Sequence, residues 1–184
     1  YPLEYNRYGF LSPAIQKFLQ TDNKKCQVSL TNTSLKPNHV CMVRRGVEFS
    51  KSQSFLACIS DIYTGIYELP QQSISTFKET LIKALDIDLF LSLQNGNLIN
   101  IFAQDELIGI SSNDIDLNDF RTSELFKRTH KNKEREKNTF LKIAHAFTNF
   151  KEYLRDNTIV IDYVYLWDLI SQPNRKLFKK GLNM

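Results

Sequence analysis

Basic side chains are the residues of this sequence whose type and spacing best suit a chemical task. They cluster between residues 121 and 137, where three glutamates are the only acidic side chains. If helical, this run covers about four to five turns. Such a cluster can neutralise phosphates and so position a protein on DNA without reading its base sequence. The predicted site consists of Arg121, Lys127, Arg128, Lys131, Lys133, Arg135 and Lys137.

Two further groups of cations extend this prediction. Arg175, Lys176, Lys179 and Lys180 form a second basic segment near the end of the chain, and Arg44 and Arg45 precede a predicted helix. We expect both arginines to be exposed and to extend the basic surface. The alternation of Lys and Glu over residues 133–137 is equally typical of a solvated helix start with side-chain ion pairs. The sequence leaves both interpretations open.

Cysteine and histidine residues raise the question of a metal. Cys26, His39 and Cys41 are potential zinc ligands. A structural zinc site needs four ligands, usually in close pairs, and this set offers three. We therefore predict no metal and interpret the cysteines as small buried hydrophobic residues. The odd number of cysteines, completed by Cys58, argues against a disulfide scaffold and is typical of a reducing compartment.

Enzymatic motifs are absent from the sequence. It contains no Gly-rich phosphate loop, no G-x-S-x-G elbow and no H-E-x-x-H pair. The three histidines, His39, His130 and His145, are far apart in the sequence. The sequence therefore predicts a protein without catalytic residues or cofactors.

Composition predicts a helical fold. The 184 residues suffice for one medium domain, or for one domain with an added helical hairpin. Six glycines and five prolines are too few for a sandwich or barrel rich in turns. The net charge of +4 is compatible with a polyanionic partner but does not require one.

No apolar run reaches the ~18–20 residues of a membrane span. Because the chain begins at Tyr1 without a methionine, we expect it to be a fragment of a longer protein.

The stretch 43–66 carries the clearest short helix. Ser50 and Gln53 have the spacing of a capping box, and Gly65 is a predicted C-cap. The apolar face that we expect at the centre of the core comprises Phe55, Leu56, Ile59, Ile62, Tyr63 and Ile66.

The remaining segments predict a mainly α fold with an irregular N-terminal loop region. Ser12-Pro13 begins a short helix, residues 26–30 have the alternation of a short strand, and Ser73 or Ser75 begins the helix after Pro70.

Residues 89–103 fit either two short helices or one β-hairpin at Asn95-Gly96, and the acids Asp86 and Asp88 favour helices. Residues 109–120 read as a polar linker. A long helical stripe runs from Phe140 to Leu154, and Asp162 begins a last apolar helix.

These elements suggest two parts. Residues 1–120 form an α-rich core with a loop-rich beginning, and residues 121–184 form the basic segment, the long helix and the C-terminal helix, packed on the same core.

Several blocks resemble a known family. They include Tyr8-Gly-Phe-Leu-Ser-Pro13, Arg45-Gly-Val-Glu48, Gln53-Ser-Phe-Leu-Ala-Cys-Ile-Ser-Asp-Ile-Tyr63 and Tyr165-Leu-Trp-Asp-Leu-Ile170, followed by Pro173-Asn174, Leu177-Phe178 and Lys180-Gly181. These blocks are similar to proteins of nucleocytoplasmic giant DNA viruses that resemble the large subunit of the poxvirus early transcription factor.

The resemblance implies a non-enzymatic, promoter-binding factor that acts in the virion and in the viral factory of the host cytoplasm. It further implies a helicase-like small subunit and the viral RNA polymerase as partners, besides duplex DNA. It transfers no catalytic residue, and the DNA contacts named above rest on charge alone. The alternative function is that of a virion structural or scaffold domain that uses its aromatic faces for protein contacts.

Overall fold

A computed structural model describes residues 2–103, 121–129 and 133–183, although the side chains of residues 129 and 133–137 lie outside the description. The protein is mainly helical and has one small two-stranded antiparallel sheet near the N-terminus, which confirms the predicted fold class. The chain divides into two compact units, Tyr1–Phe49 and Ser50–Met184. The predicted division at residue 120 and the predicted linker at 109–120 fall on or beside residues that are not described, so both stay predictions.

The first unit is built around the small sheet. Strand β1 (Tyr8–Phe10) pairs with β2 (Val43–Arg45), with Tyr8 opposite Arg45. Helix α1 (Pro13–Phe18) begins as predicted, since Ser12 is extended and Pro13 occupies the first position. Its apolar side chains Ile15 and Phe18 are exposed.

The irregular segment after α1 contradicts two predictions. In place of a strand at residues 26–30, the chain forms a 3₁₀ turn at Asn23–Cys26 and a single bridge between Gln27 and Leu35. Cys26 and Cys41 form a disulfide. The interpretation of Cys26 and Cys41 as small buried hydrophobic residues was wrong, and so was the argument against disulfides for this pair, because the loop returns Cys41 to Cys26. Cys58 is a free, exposed cysteine.

The second unit contains the other helices. They are α2 (Ser54–Ile66), α3 (Ile74–Ala84), α4 (Ile87–Ser92), α5 (Leu98–Phe102), α6 (Glu124–Thr129), α7 (Lys133–Arg155) and α8 (Trp167–Ser171). Two short segments connect neighbouring helices: a turn at Leu93–Gly96 and a 3₁₀ turn at Tyr163–Tyr165. The long helix α7 packs against α3, α4 and α5, and α2 packs against α3. The helix that organises this unit is therefore α7.

Aromatic rings fill the space beside α7. The ring centroid of Phe150 lies 5.5 Å from that of Phe90 and 5.0 Å from that of Phe102. Phe102 also meets Tyr153 and Tyr165. Tilted and edge-to-face pairs of this kind add to the stabilisation that burial supplies. The predicted stripe on residues 140–154 thus faces the core.

Local capping follows the sequence closely. The side chains of Ser73, Asp86 and Asp162 accept hydrogen bonds from Thr76, Leu89 and Val164 at the starts of their elements. Residues 89–103 form helices, as the acids favoured. Between α4 and α5 the chain reverses direction, and Gln94, Asn95 and Gly96 have positive φ. Asn and Gly tolerate a positive φ best.

Helix α2 differs from its prediction in three ways. Ser50 Oγ accepts a bond from Gln53 N, but the Gln53 side chain bonds the carbonyl oxygens of Asp156 and Ile159 instead of completing a capping box. Gly65 lies inside the helix, and Tyr67 is the C-cap. Leu56 and Ile59 are buried, whereas Ile62 and Ile66 are exposed, so only part of the predicted face reaches the core.

None of the described helices is both long and apolar enough to cross a membrane.

Candidate nucleic-acid interface

Helix α6 carries the described part of the predicted basic run. Arg121, Lys127 and Arg128 are exposed. Lys127 Nζ lies 2.6 Å from Glu124 Oε1, one helical turn away. This hydrogen-bonded pair raises the pKa of Lys127 and lowers the pKa of Glu124. Lys127 therefore remains charged at neutral pH, and the ion pairs expected among residues 133–137 stay a prediction, because those side chains lie outside the description.

The remainder of the run is only partly visible. Lys131 lies outside the described residues. Lys133, Arg135 and Lys137 belong to the first two turns of α7, but their side chains are likewise outside the description. Residues 133–137 are helical, and the assignment of their side chains to a DNA-binding site stays a prediction.

The second basic segment follows α8. Arg175, Lys176, Lys179 and Lys180 are all exposed. Two turns hold the backbone: Asn174 N donates to Phe178 O at 2.8 Å, and Gly181 N donates to the same oxygen at 3.0 Å. The segment thus presents its cations from a fixed loop.

A shallow depression lies beside this segment. It measures about 390 Å³ and is lined by Ile66, Tyr67, Phe178, Lys179, Lys180 and Gly181. The backbone amide of Lys179 donates to the Tyr67 hydroxyl at 3.1 Å, which ties the segment to the end of α2. Lys179 and Lys180 thus line this depression together with apolar and aromatic side chains.

Two aspartates at the start of α4, the N-cap Asp86 and the first-turn residue Asp88, contact the two basic segments. Lys176 Nζ lies 3.5 Å from Asp86 Oδ2. Two residues later, Asp88 accepts hydrogen bonds from the backbone amides of Glu124, at 2.9 Å, and Leu125, at 3.3 Å, and so caps α6. Segments that are about fifty residues apart in sequence therefore both contact the start of α4. Sequence reasoning missed this arrangement, although it had marked both aspartates as first-turn acids.

Arg44 and Arg45 lie in the first unit. Arg44 is half-buried, and its Nε donates to Phe10 O at 3.0 Å. The expectation that both arginines are exposed was wrong for Arg44, because its side chain reaches back across the sheet to β1. Arg45 is exposed; its guanidinium donates to Asn6 Oδ1 at 2.9 Å and lies 5.9 Å from the Tyr8 ring centroid.

The potential metal ligands of the first unit come together. One ligand atom from each of Cys26, His39 and Cys41 lies within 4.8 Å of the others. Cys26 is buried, Cys41 is half-buried and His39 is exposed. The three residues thus come together although a single residue separates His39 from Cys41, and the set still comprises the three ligands named from the sequence.

Comparisons with protein-family models, curated proteins and solved structures each found no match.

Proposed function

We propose that this chain is a non-enzymatic module of a viral early transcription factor and that it binds duplex DNA through the phosphate backbone. The observation that supports the DNA-binding part is that α6 and Lys176 of the second basic segment both contact the start of α4, through Asp88 and Asp86. The assignment to a transcription factor rests on the resemblance of the sequence blocks described above. By that resemblance, the partners are a helicase-like small subunit and the viral RNA polymerase, and the protein acts in the virion and the viral factory of the host cytoplasm.

The number of cations in the two basic segments predicts how strongly DNA binding depends on salt concentration. Lys127 and Lys176 each have a carboxylate partner in the protein. The other cations of the two basic segments whose side chains are described are Arg121, Arg128, Arg175, Lys179 and Lys180, all exposed. Five neutralised phosphates predict that log K falls with log salt concentration with a slope of about −4 to −5.

The test is a salt series of fluorescence anisotropy with a labelled duplex. Supporting results are binding at low salt with the slope given above and weaker binding after charge reversal at Arg128 or at Lys179. Reversal at Lys131, Lys133 and Arg135 tests the side chains outside the description in the same assay. Lys51→Glu is the matched control, because Lys51 is an exposed lysine outside both basic segments. No detectable binding at low salt overturns the proposal.

A second candidate function is a protein-contact module, such as a virion scaffold. A short stretch before and within α8 exposes large apolar side chains: Val160 is 71% exposed, Tyr163 52%, Val164 43% and Trp167 42%. Adjacent exposed groups of this kind are typical of protein-binding surfaces. Concentration-dependent association in sedimentation velocity that Trp167→Ser abolishes, together with absent DNA binding, would favour this alternative.

A further inference from the structure

The loop between Cys26 and Cys41 folds back on itself through backbone bonds. Lys36 N donates to Cys26 O at 2.8 Å, and Val28 N donates to Ser34 O at 3.1 Å. Asn38 then takes a positive φ of 56°, which turns the chain just before His39. As a result, His39 and Cys41 approach Cys26 from the opposite end of the loop.

The first unit has little else to hold it together. Among its described residues, Leu11 and Cys26 are the buried hydrophobic side chains. A unit of about fifty residues with so small a core usually needs a disulfide or a metal for stability. The link between Cys26 and Cys41 supplies this stabilisation in the oxidised protein.

We propose that, when this disulfide is reduced, Cys26, His39 and Cys41 bind one Zn²⁺. The site is independent of the proposed DNA-binding function. Reduction adds two electrons and two protons to the disulfide and is carried out by a thiol or phosphine reductant. Zn²⁺ then displaces both thiol protons to solvent and binds two thiolates and the neutral imidazole.

The geometry and the ligand chemistry both fit zinc. Thiolate and imidazole are the ligands that tetrahedral Zn²⁺ prefers, at about 2.3 Å and 2.0–2.1 Å. Tetrahedral ligands at these lengths lie about 3.5–3.8 Å apart. The ligand atoms of the three residues already lie within 4.8 Å of one another, so small side-chain rotations suffice. The fourth position is open to water, and the exposure of His39 leaves room for it.

The test is a titration of the phosphine-reduced protein with Co²⁺, followed by displacement with Zn²⁺. We expect one Co²⁺ per chain, with thiolate-to-cobalt charge-transfer absorption that Zn²⁺ abolishes. Loss of a residue that only hydrogen-bonds a metal ligand weakens metal binding by about 10–100-fold. We expect Cys41→Ser and His39→Ala to weaken Co²⁺ binding by more than this. Cys58→Ser is the matched control, because Cys58 is an exposed thiol outside the cluster, and it should bind as the parent protein does.

A measurement on the unaltered protein guards against variants that fail to fold. Trypsin places Cys26 and Cys41 on one peptide, residues 26–44, because the bond between Lys36 and Pro37 resists cleavage, whereas Cys58 falls on residues 52–78. Zn²⁺ should slow alkylation of the first peptide at least tenfold and leave the second unchanged. Absence of charge-transfer absorption, equal protection of both peptides, or full binding by His39→Ala would each overturn the proposal.

Discussion

Lys78 Nζ lies 2.7 Å from the carbonyl oxygen of Asp156, so a buried ammonium group closes the C-terminal end of the long helix α7. The same nitrogen contacts Arg155 O at 3.2 Å, Asn157 Oδ1 at 2.9 Å and Gln53 Oε1 at 3.3 Å. The last carbonyls of a helix lack partners within the helix and carry partial negative charge, which a cation stabilises. Burial lowers the pKa of Lys78, and the carboxylate of Asp156 opposes that shift.

Lys78→Met tests this arrangement. Methionine fills a similar volume but removes the ammonium donor from the carbonyl oxygens of Arg155 and Asp156, and the Asp156 oxygen keeps its bond from Gln53 Nε2. We expect the free energy of unfolding to fall by about 3 kcal/mol. Urea denaturation followed by circular dichroism measures the change. Lys83 is exposed and lies, like Lys78, on helix α3. We expect Lys83→Met to change the free energy of unfolding by less than about 0.5 kcal/mol. Equal effects of the two substitutions would contradict a specific role for Lys78.

Asp156 provides a prediction about pH. Its Oδ1 accepts hydrogen bonds from the backbone amide and the hydroxyl of Thr158, at 2.7 and 2.6 Å. These bonds lower the pKa of Asp156 below its ordinary value of 3.8. Because the folded-state pKa is depressed, the stabilisation is complete above pH 3.8 and is lost as the pH falls through the folded-state pKa.

An NMR titration of the Asp156 carboxyl measures this pKa directly. Thr158→Val removes the hydroxyl donor and keeps the amide, so the pKa should move back toward 3.8 without reaching it. A carboxyl pKa at or above 3.8 in the parent protein would show that the two hydrogen bonds do not stabilise the charged form.

Gly181 shapes the loop that presents Lys179 and Lys180. It has a φ of 72°, and a Cβ added there would collide with the carbonyl oxygen of Ser171. We expect Gly181→Ala to lower the unfolding free energy by more than about 1 kcal/mol, since strain and collision add. Differential scanning fluorimetry provides the measurement.

Gly65→Ala is the control for this substitution. Gly65 lies inside α2, and an added Cβ there has no atom within 4 Å. Alanine in a helix interior is favoured over glycine by about 0.5–1 kcal/mol, so this variant should be more stable than the parent. Similar losses at both glycines would show that crowding at Gly181 does not set the loop conformation.

Local features of the fold could be predicted because their causes lie within a few residues of each other. Ser12-Pro13, Ser73, Asp86 and Asp162 each begin their elements as expected, since a cap and the amide it accepts from are close in sequence. The long stripe on α7 was equally visible, because helical periodicity over fifteen residues is a strong signal.

Contacts between distant residues could not be read from such patterns. Gln53 has the spacing of a capping residue, yet its amide bonds Asp156 O at 2.8 Å, more than a hundred positions away. The approach of His39 and Cys41 to Cys26 depends on a loop without periodicity. The capping of α6 by Asp88 depends on tertiary packing, and so the joining of the two basic segments was missed.

The most direct test of the central claim compares the salt dependence of duplex DNA binding among single charge reversals in both basic segments. We expect Arg128→Glu and Lys179→Glu each to weaken DNA binding by a similar factor for duplexes of unrelated sequence. Each substitution should also reduce the slope of log K against log salt concentration by about 1. Lys51→Glu should change neither quantity. If only one segment affects the slope, or if the parent protein does not bind duplex DNA at low salt, the two segments do not form one phosphate-binding surface.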